Sequence, residues 1–339
     1  MIHRRKGMGI MMVSHKDRES IRDMILSSGA VAVGFAVAED VGESVISQYQ
    51  GWIEGGNHAG MDYLARHASL KGNPSHVLEG ATTVISVAFS YAPPEFRDTT
   101  LPVIACYAYG SDYHDVLRTR LSPIVEILRD KFGGEWRICI DSAPLAERYW
   151  AMRSGIGVRG DNGTVIVEGA GAYAFLAEIV TTIPLPPDKP STLECKKCGA
   201  CHKACPQKAL LPDGTVDSRR CLNYLTIEHR GDWDEGYADM AHTPAARHTL
   251  YGCDICLRVC PLNRGVPPTG IPDFQPRREV MCLTAEEAAG MTQGDFSVIF
   301  KGSPIKRAKL AGLRRNALNI TGQPHSADSP DKPVTSTDS

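Results

Sequence analysis

The stretch that decides how the second half of this chain folds is a closely spaced run of cysteines, Cys195-Lys-Lys-Cys198-Gly-Ala-Cys201-His-Lys-Ala-Cys205-Pro206. In this spacing three thiolates on one tight loop bind a single four-iron cluster, and the fourth, which precedes the proline, reaches a second cluster. A shorter run over residues 253–261 repeats the pattern with one cysteine fewer. The two runs predict a domain that holds two [4Fe-4S] clusters and carries electrons.

The number of thiolates completes this prediction. Each four-iron cluster takes four cysteine ligands, and the two runs together supply seven. Cys221 is the only other cysteine in this part of the chain, so it is predicted to be the eighth ligand. One cluster is assigned to Cys195, Cys198, Cys201 and Cys260. The other is assigned to Cys205, Cys221, Cys253 and Cys256.

A structural zinc site built from CxxC pairs is the alternative for these cysteines. It does not explain why a proline follows the last cysteine of each run, at Pro206 and Pro261. Three cysteines are left over, Cys106, Cys139 and Cys282. The first two fall in predicted strands, where a free cysteine usually acts as a small core residue.

The composition is that of an ordinary globular protein. The chain has 339 residues, of which 42% are apolar and 22% charged, and this length suggests about two domains. Its formal net charge of −2 excludes a uniformly basic nucleic-acid binder, although a local basic patch is compatible with it. No apolar run reaches the ~18 residues of a membrane span. Arg4 and Arg5 could open an export signal, but the following apolar run is too short, so a cytoplasmic location is expected.

The first half of the chain alternates strand-like and helix-like patterns. Apolar runs rich in β-branched and aromatic residues predict strands at residues 81–91, 102–109, 136–140, 164–167 and 173–182. Leu117, Leu121 and Leu128 share one helical face, and a second helix is predicted over residues 143–154. The predicted fold class is α+β: an α/β sheet domain with helices, then a ferredoxin-like two-[4Fe-4S] domain and a short helical C-terminal segment.

A proline-rich connector over residues 184–190 separates the two halves. The predicted boundaries are 1–18 for a ragged N-terminus, 19–186 for the catalytic sheet domain, 187–265 for the two-cluster domain, 266–325 for a helical basic segment and 326–339 for a disordered tail.

Asp141 has two interpretations on the sequence alone. It stands where a predicted strand ends and a helix is expected to begin, so it could be the N-cap of that helix. It could instead be a functional carboxyl at the carboxyl end of a strand, where α/β sheets bind ligands. Burial beside a cofactor would then raise its pKa and make it a proton donor.

Two other motifs are predicted to be incidental. Gly155-Ile-Gly-Val-Arg-Gly160 matches GxGxxG, but a helix precedes it and a strand follows, the reverse of a dinucleotide site. Asp112-Tyr-His114 resembles the start of a corrinoid-binding DxHxxG motif, but Leu117 occupies the glycine position. His114 is therefore predicted to be an ordinary surface or core residue.

A run of basic residues without an acidic one lies near the C-terminus. Its members are Lys301, Lys306, Arg307, Lys309, Arg314 and Arg315. Such a run is either a solvated helix face or a surface that binds phosphates, and the spacing favours neither.

Taken together, these motifs resemble the epoxyqueuosine reductase family, the cobalamin-dependent iron–sulfur enzymes of tRNA queuosine synthesis. Besides the cysteine runs, the matching segments are Gly60-Met-Asp-Tyr-Leu-Ala-Arg-His67, Tyr109-Gly-Ser-Asp-Tyr-His114, Asp141-Ser-Ala-Pro-Leu-Ala-Glu147, Ser218-Arg-Arg-Cys-Leu-Asn-Tyr-Leu-Thr-Ile-Glu228, Tyr251-Gly-Cys-Asp-Ile-Cys256, Gly302-Ser-Pro-Ile-Lys-Arg307 and Arg315-Asn-Ala317. The resemblance extends over about residues 20–320.

The resemblance implies reduction of epoxyqueuosine to queuosine at the wobble position of tRNA, with the clusters passing electrons to cobalamin. It implies that Asp141 donates the proton and that the six basic residues bind tRNA. It implies cobalamin contacts from Met61, Tyr63, Arg66, Asp141, Arg159, Asn162, Ser218, Tyr224 and Asp254. An external low-potential electron donor and a monomer are also expected.

The chain departs from the family pattern at residues 157–163. They read Gly-Val-Arg-Gly-Asp-Asn-Gly where the family commonly has Gly-Trp-x-Gly-Lys-Asn-Thr.

Two functions are the alternatives to epoxyqueuosine reduction. One is a related corrinoid iron–sulfur reductase of another substrate, such as a dehalogenase, and the other is a ferredoxin-type electron carrier with a vestigial sheet domain.

Overall fold

The computed structural model describes residues 13–233 and 236–323. Most of the predicted ragged N-terminus and the whole predicted tail, 326–339, lie outside the described residues. Within the described ranges no helix combines the length and apolar character needed to cross a lipid bilayer.

A four-stranded antiparallel sheet forms the centre of the first half. The strands of the chain are β1 (Ala32–Val37), β2 (Thr83–Ser90), β3 (Val103–Ile104), β4 (Trp136–Cys139), β5 (Gly157–Arg159), β6 (Val165–Val167), β7 (Ala174–Thr181) and β8 (Thr249–Tyr251). The sheet has the order β1-β2-β7-β4, and all three pairings are antiparallel. The ligand rule for the carboxyl ends of parallel strands therefore does not apply to Asp141.

Helices cover both faces of the sheet and are the main regular structure of the C-terminal part. They are α1 (His15–Leu26), α2 (Glu43–Glu54), α3 (Asp62–Arg66), α4 (Tyr113–Phe132), α5 (Glu147–Arg153), α6 (Ala200–Ala204), α7 (Ala238–Ala241), α8 (Ile255–Arg258), α9 (Arg278–Met281), α10 (Ala285–Gly290), α11 (Gln293–Ile299) and α12 (Lys309–Thr321). The predicted leucine face of α4 is confirmed, because Leu117, Leu121 and Leu128 are fully buried.

Two local predictions are wrong. The run 102–109 is a strand for only two residues, since a 3-10 turn at Cys106–Ala108 follows at once. The helix predicted over 143–154 begins at Glu147, with Ala146 as its N-cap. Asp141 lies outside that helix, so it is not an N-cap.

One apolar core joins the sheet to the C-terminal helices. It includes Phe35 and Leu117 from the sheet domain, Leu250 from β8 and Leu313 from α12. The parallel pair β3 and β8 also links the two halves, with Val103 opposite Thr249. Cys106 and Cys139 are buried core residues as predicted, whereas Cys282 is exposed.

Candidate active site

Asp141 follows β4 in a loop that holds its backbone in an unusual conformation. Its φ is 54°, in the left-handed region that residues other than glycine rarely adopt. The loop is held by a hydrogen bond from the Asp141 backbone N–H to the carboxylate of Glu147, the first residue of α5. The side chain of Asp141 keeps 63% of its area exposed. The fold therefore presents this carboxylate to solvent or to a ligand.

His114 connects Asp141 to a second carboxylate. Asp112 caps α4 and accepts from the backbone N–H of His114 at 3.0 Å. The same Asp112 oxygen lies 2.8 Å from His114 Nδ1. On the other side of the ring, His114 Nε2 lies 3.3 Å from Asp141 Oδ2. His114 is therefore not an isolated side chain, because its imidazole bridges two carboxylates at the site.

The electrostatics of this chain of three groups favour a charged imidazole. Burial lowers the pKa of His114, but the hydrogen bonds to Asp112 and Asp141 outweigh burial and raise the pKa to about 9. The hydrogen bond from His114 lowers the pKa of Asp141, and burial opposes this effect. In the described chain the hydrogen bond from His114 thus outweighs burial, and the pKa of Asp141 shifts in the opposite direction to the one expected beside a cofactor.

Other charged groups surround the Asp141 loop. Lys71 Nζ donates to the carbonyl of Leu145 within the loop at 3.4 Å, and Arg148 donates to the carbonyl of Gly163 at 2.9 Å. Burial raises the pKa of Glu147, and the charge of Asp141 adds to the increase. Both cations lie close enough to Glu147 and Asp141 to stabilise negative charge there.

A buried carboxyl lies in the sheet behind Glu147. Glu178, on β7, is fully buried, and neither of its oxygens has a hydrogen-bond partner in the described part of the chain. Burial raises the pKa of Glu178, and the charge of Glu147 reinforces that shift. This shift favours the neutral carboxyl at Glu178 over a second negative charge beneath α5.

Four of the predicted cobalamin contacts lie where the first half of the chain meets the cluster domain. Met61 is half-buried and Arg66 is exposed. Tyr63 is 36% exposed, and the guanidinium of Arg307 lies 5.6 Å from its ring centre. The buried Tyr224 accepts from the backbone N–H of Gly60 at 3.0 Å. Burial raises the pKa of Tyr63, and the charges of Glu228 and Asp141 add to the increase, so this tyrosine stands between the Asp141 loop and the cluster domain.

The other four predicted contacts have partners within the protein. Arg159 donates to the carbonyl of Gly214 at 2.8 Å. Asn162 accepts from the Thr164 hydroxyl at 2.8 Å. Ser218 and Asp254 are buried. These residues have a structural role in the described chain, and their contact with cobalamin stays a prediction.

The four thiols assigned to the second cluster lie close together. Burial raises the pKa of Cys253 to about 12. Burial also raises the pKa of Cys256, and the nearby thiols of Cys253, Cys221 and Cys205 add to the increase. The backbone N–H of Ala209 donates to Cys205 Sγ at 3.3 Å. This grouping supports the inclusion of Cys221, which the sequence could infer only by counting.

The thiols assigned to the first cluster are more open. Cys198 is exposed, and Cys195, Cys201 and Cys260 are half-buried. Burial raises the pKa of Cys201, and Cys195 contributes to this shift. Among the described residues, no three His, Cys, Asp or Glu side chains are close enough to hold a single metal ion. The assignment to individual clusters stays a prediction.

The basic run divides into an exposed and a buried part. Lys301, Lys306, Arg307 and Lys309 are exposed, and Arg314 is half-buried. Arg307 forms a bidentate pair with Glu228, with both N–O distances at 2.8 Å.

Arg315 belongs to the buried part, with 3% of its area exposed. It donates to the backbone carbonyls of Leu225 at 2.8 Å, Gly231 at 2.7 Å and His229 at 3.1 Å. The prediction that Arg315 binds tRNA is wrong, because its guanidinium is committed to the interior.

Comparison with known proteins identifies the family. The family model "Epoxyqueuosine reductase QueG, DUF1730" matches residues 71–142, and the model "4Fe-4S double cluster binding domain" matches residues 194–263. The epoxyqueuosine reductase of Cyclobacterium marinum is 34% identical over 278 residues, which cover 81% of this chain and 87% of that protein. That of Escherichia coli is 34% identical over 314 residues, covering 90% and 81%.

The chain belongs to the epoxyqueuosine reductase family.

Solved epoxyqueuosine reductases share its fold. A crystal structure with a tRNA-Tyr epoxyqueuosine-modified stem loop superposes with a TM-score of 0.81 at 26% identity, covering 90% of this chain and 80% of that one. The enzyme from Streptococcus thermophilus gives a TM-score of 0.79 at 27% identity, covering 89% and 80%. The Bacillus subtilis enzyme with its catalytic loop swung out of the active site gives 0.79 at 26%, covering 90% and 81%.

Membership of the epoxyqueuosine reductase family confirms the predicted α+β fold and the domain for two [4Fe-4S] clusters. It also confirms the prediction that the chain is an oxidoreductase, so the electron-carrier alternative is wrong. The match to a 4Fe-4S domain also excludes the alternative of a structural zinc site for these cysteines. Sequence reasoning missed His114. The signal that could have found it is Asp112, a helix N-cap two residues away, which the hydrogen bond at 3.0 Å places beside the imidazole.

Proposed function

We propose that this protein reduces epoxyqueuosine to queuosine at the wobble position of tRNA. The observation that carries the proposal is an exposed carboxylate paired with a charged imidazole in a fold that also contains a two-cluster domain. Relatives named epoxyqueuosine reductase cover most of this chain, and a relative of the same fold was solved with an epoxyqueuosine-modified stem loop.

The reaction requires both electrons and protons. Removal of the epoxide oxygen as water breaks two carbon–oxygen bonds and consumes two electrons and two protons. The clusters, with cobalamin when it is bound, supply the electrons one at a time. The protons have to come from the protein or from solvent.

Asp141 is the group that we expect to deliver a proton to the departing oxygen. Two contacts hold this residue in place. The backbone N–H of Asp141 donates to Glu147, and Asp141 Oδ2 lies 3.3 Å from His114 Nε2. Lys71 and Arg148 stabilise the negative charge that remains on the loop after transfer. General acid catalysis of this kind contributes roughly 10²–10⁴-fold to a rate.

The segment that carries Tyr63 fits a large, flat cofactor such as cobalamin. Tyr63 is an exposed aromatic ring, and Met61 and Arg66 lie on the same segment. These three side chains would hold the cofactor beside Asp141. His114 would not ligate the cobalt, because its two ring nitrogens face the carboxylates of Asp112 and Asp141.

We further propose that tRNA phosphates bind the exposed basic surface made by Lys301, Lys306 and Lys309. Arg307 continues this surface toward Tyr63, although its pair with Glu228 offsets its charge. Through Arg307 the surface reaches the side of the Asp141 site, which suits an RNA whose modified base enters there. An external low-potential electron donor, a monomer and a cytoplasmic location complete the proposal.

Conversion of the substrate by the purified chain tests this function. The full chain, reconstituted anaerobically with iron, sulfide and cobalamin, is given a chemical reductant and tRNA that carries epoxyqueuosine. Nucleoside analysis of the digested tRNA is expected to show queuosine in place of epoxyqueuosine. Protein with both clusters and cobalamin bound that leaves epoxyqueuosine unchanged would contradict the proposal. Loss of queuosine from bulk tRNA after removal of the gene tests the same function in the cell.

A further inference from the structure

The proposed reaction needs more protons than Asp141 can hold. Two protons leave with the epoxide oxygen as water, and a single carboxyl carries only one of them. In the resting site the carboxylate of Asp141 is ionised, because the hydrogen bond from His114 lowers its pKa. A proton has to reach Asp141 from a neighbouring group before each transfer.

The neighbour with a suitable position is His114. Its Nε2 lies 3.3 Å from Asp141 Oδ2, and its Nδ1 lies 2.8 Å from Asp112 Oδ1. The ring stacks against Tyr113, with 4.0 Å between ring centres, and Tyr113 stacks on the buried Phe175 at 4.4 Å. These contacts fix the imidazole plane with one nitrogen directed at each carboxylate.

The other groups that face Asp141 are less suited to store the proton. Tyr113 hydrogen-bonds to Asp141, but burial raises its pKa far above the neutral range. The Glu147 carboxylate is engaged as the acceptor of the Asp141 backbone N–H. Lys71 donates to the carbonyl of Leu145, and Arg148 to that of Gly163.

We propose that His114, oriented by Asp112, is the proton store of this site and reloads Asp141 during turnover. This inference rests on the proposed function. The N–H bond at His114 Nε2 breaks as the proton moves to Asp141 Oδ2, and Asp141 passes it to the departing oxygen. The Nδ1–H bond stays intact with Asp112 as its acceptor, and the neutral imidazole takes a new proton at Nε2 from solvent. His114 acts through Asp141, so it is a positioning residue.

The charge state of the imidazole supports this role. Its two carboxylate partners raise the pKa of His114 to about 9, so the store is full at neutral pH and empties as the pH rises through 9. Turnover that depends on the store is therefore constant below that pH and lost above it.

Replacement of the imidazole tests the store. His114→Gln keeps a hydrogen-bonding side chain but cannot carry a proton. We expect kcat to fall by about tenfold or more, with KM for tRNA within about twofold of the wild-type value. The alkaline limit of kcat should move several pH units lower, because Asp141 then titrates nearer to the ordinary carboxyl pKa of about 4. A merely structural role would lower kcat and leave this limit in place.

Asp112→Asn provides a second variant and a readout that does not depend on activity. It removes one of the two carboxylates, so the pKa of His114 should fall toward the ordinary value of about 6.5. Histidine ring NMR on the ¹³C-labelled full chain follows this titration directly, with the His114 resonance identified by its loss in His114→Gln. His15→Gln, at the exposed start of α1, is the matched control and should change neither measurement.

Different results would overturn the role of His114 and the proposed function of the protein. An alkaline limit that is unchanged in His114→Gln, or a His114 titration near 6.5 in the wild type, would overturn the proposal. A wild-type enzyme that converts no epoxyqueuosine would overturn the proposed function instead, while the NMR titration would still decide where the proton is stored.

Discussion

The cluster domain and the Asp141 site serve the two halves of the proposed reaction, and the chain builds them in different ways. The cluster domain takes its thiols from two short runs and one isolated residue, Cys221. The Asp141 site takes its groups from distant parts of the sheet domain: Asp112 and His114 at the start of α4, Asp141 after β4, and Glu147 on α5. The electron half is encoded by local spacing, and the proton half exists only after the sheet has folded.

Because the two sites are built differently, substitutions in them should have different consequences. Loss of one thiolate removes a ligand that the cluster cannot replace from a neighbouring turn. Loss of one group at the Asp141 site leaves the scaffold intact, because the sheet and its core do not depend on that group. Substitutions in the cluster domain should therefore abolish a cofactor, whereas those at the Asp141 site should change a rate.

The largest effect is expected for Cys221→Ala. The thiols of Cys205, Cys253 and Cys256 lie around Cys221, and three ligands do not secure a four-iron cluster that normally takes four. We expect turnover to be lost together with about half of the iron. Iron analysis and electron paramagnetic resonance, both done anaerobically, measure the cluster content. Cys282→Ala, at an exposed cysteine outside both runs, is the control. Two intact clusters in Cys221→Ala would show that the ligand set is wrong.

Asp141→Asn should give the next largest effect, and it changes the Asp141 site instead of the cluster domain. Asparagine tolerates the left-handed backbone at φ 54°, so the free energy of unfolding should change by less than about 1 kcal/mol. The amide cannot donate a carboxyl proton, so kcat should fall roughly 10²–10⁴-fold while both clusters remain. Asp98→Asn, in an exposed turn with Thr100, is the matched control. Near-normal turnover in Asp141→Asn would remove this residue from the chemistry.

Arg315→Ala tests a residue that is part of neither the cysteine ligand set nor the Asp141 site. Its guanidinium is buried against three backbone carbonyls, and the substitution leaves buried acceptors without a donor. We expect the free energy of unfolding to fall by about 3 kcal/mol, measured by denaturant titration. Lys301→Ala, at an exposed lysine, should change stability by less than about 0.5 kcal/mol. Equal stability of the two variants would show that the buried hydrogen bonds are not needed.

The smallest effect is expected for the double variant Lys301→Ala and Lys306→Ala. Both lysines are exposed, and each phosphate contact that is lost should reduce the salt dependence of tRNA binding by somewhat under one unit of slope. Iron and cobalamin content should stay unchanged. Affinity measured at two salt concentrations checks the prediction, with Arg307→Ala as the companion, since its pair with Glu228 should make its effect smaller. Unchanged affinity and slope would place the tRNA surface elsewhere.

The basic run shows why charge patterns are harder to interpret than cysteine spacing. Thiolates that share a cluster have to lie within one coordination sphere, so their spacing predicts a site. Arginine has no such constraint. Lys306 and Arg315 lie nine residues apart in one basic run, yet the first is exposed and the second is buried. Only the packing of α12 against the segment that contains Leu225 and Gly231 decides between them.

Four features could be predicted from the residues alone: the two-cluster domain, the eighth cysteine as a candidate ligand, most strands of the sheet and the family. These features follow from ligand spacing and hydrophobic periodicity, which act over short stretches of chain. The contact between Asp141 and His114 required the folded chain. Their backbone positions are 27 residues apart, and nothing local predicts that an imidazole at the start of α4 meets a carboxylate after β4. The packing of α4 against β4 brings the two together, and the charge of each then shifts the pKa of the other.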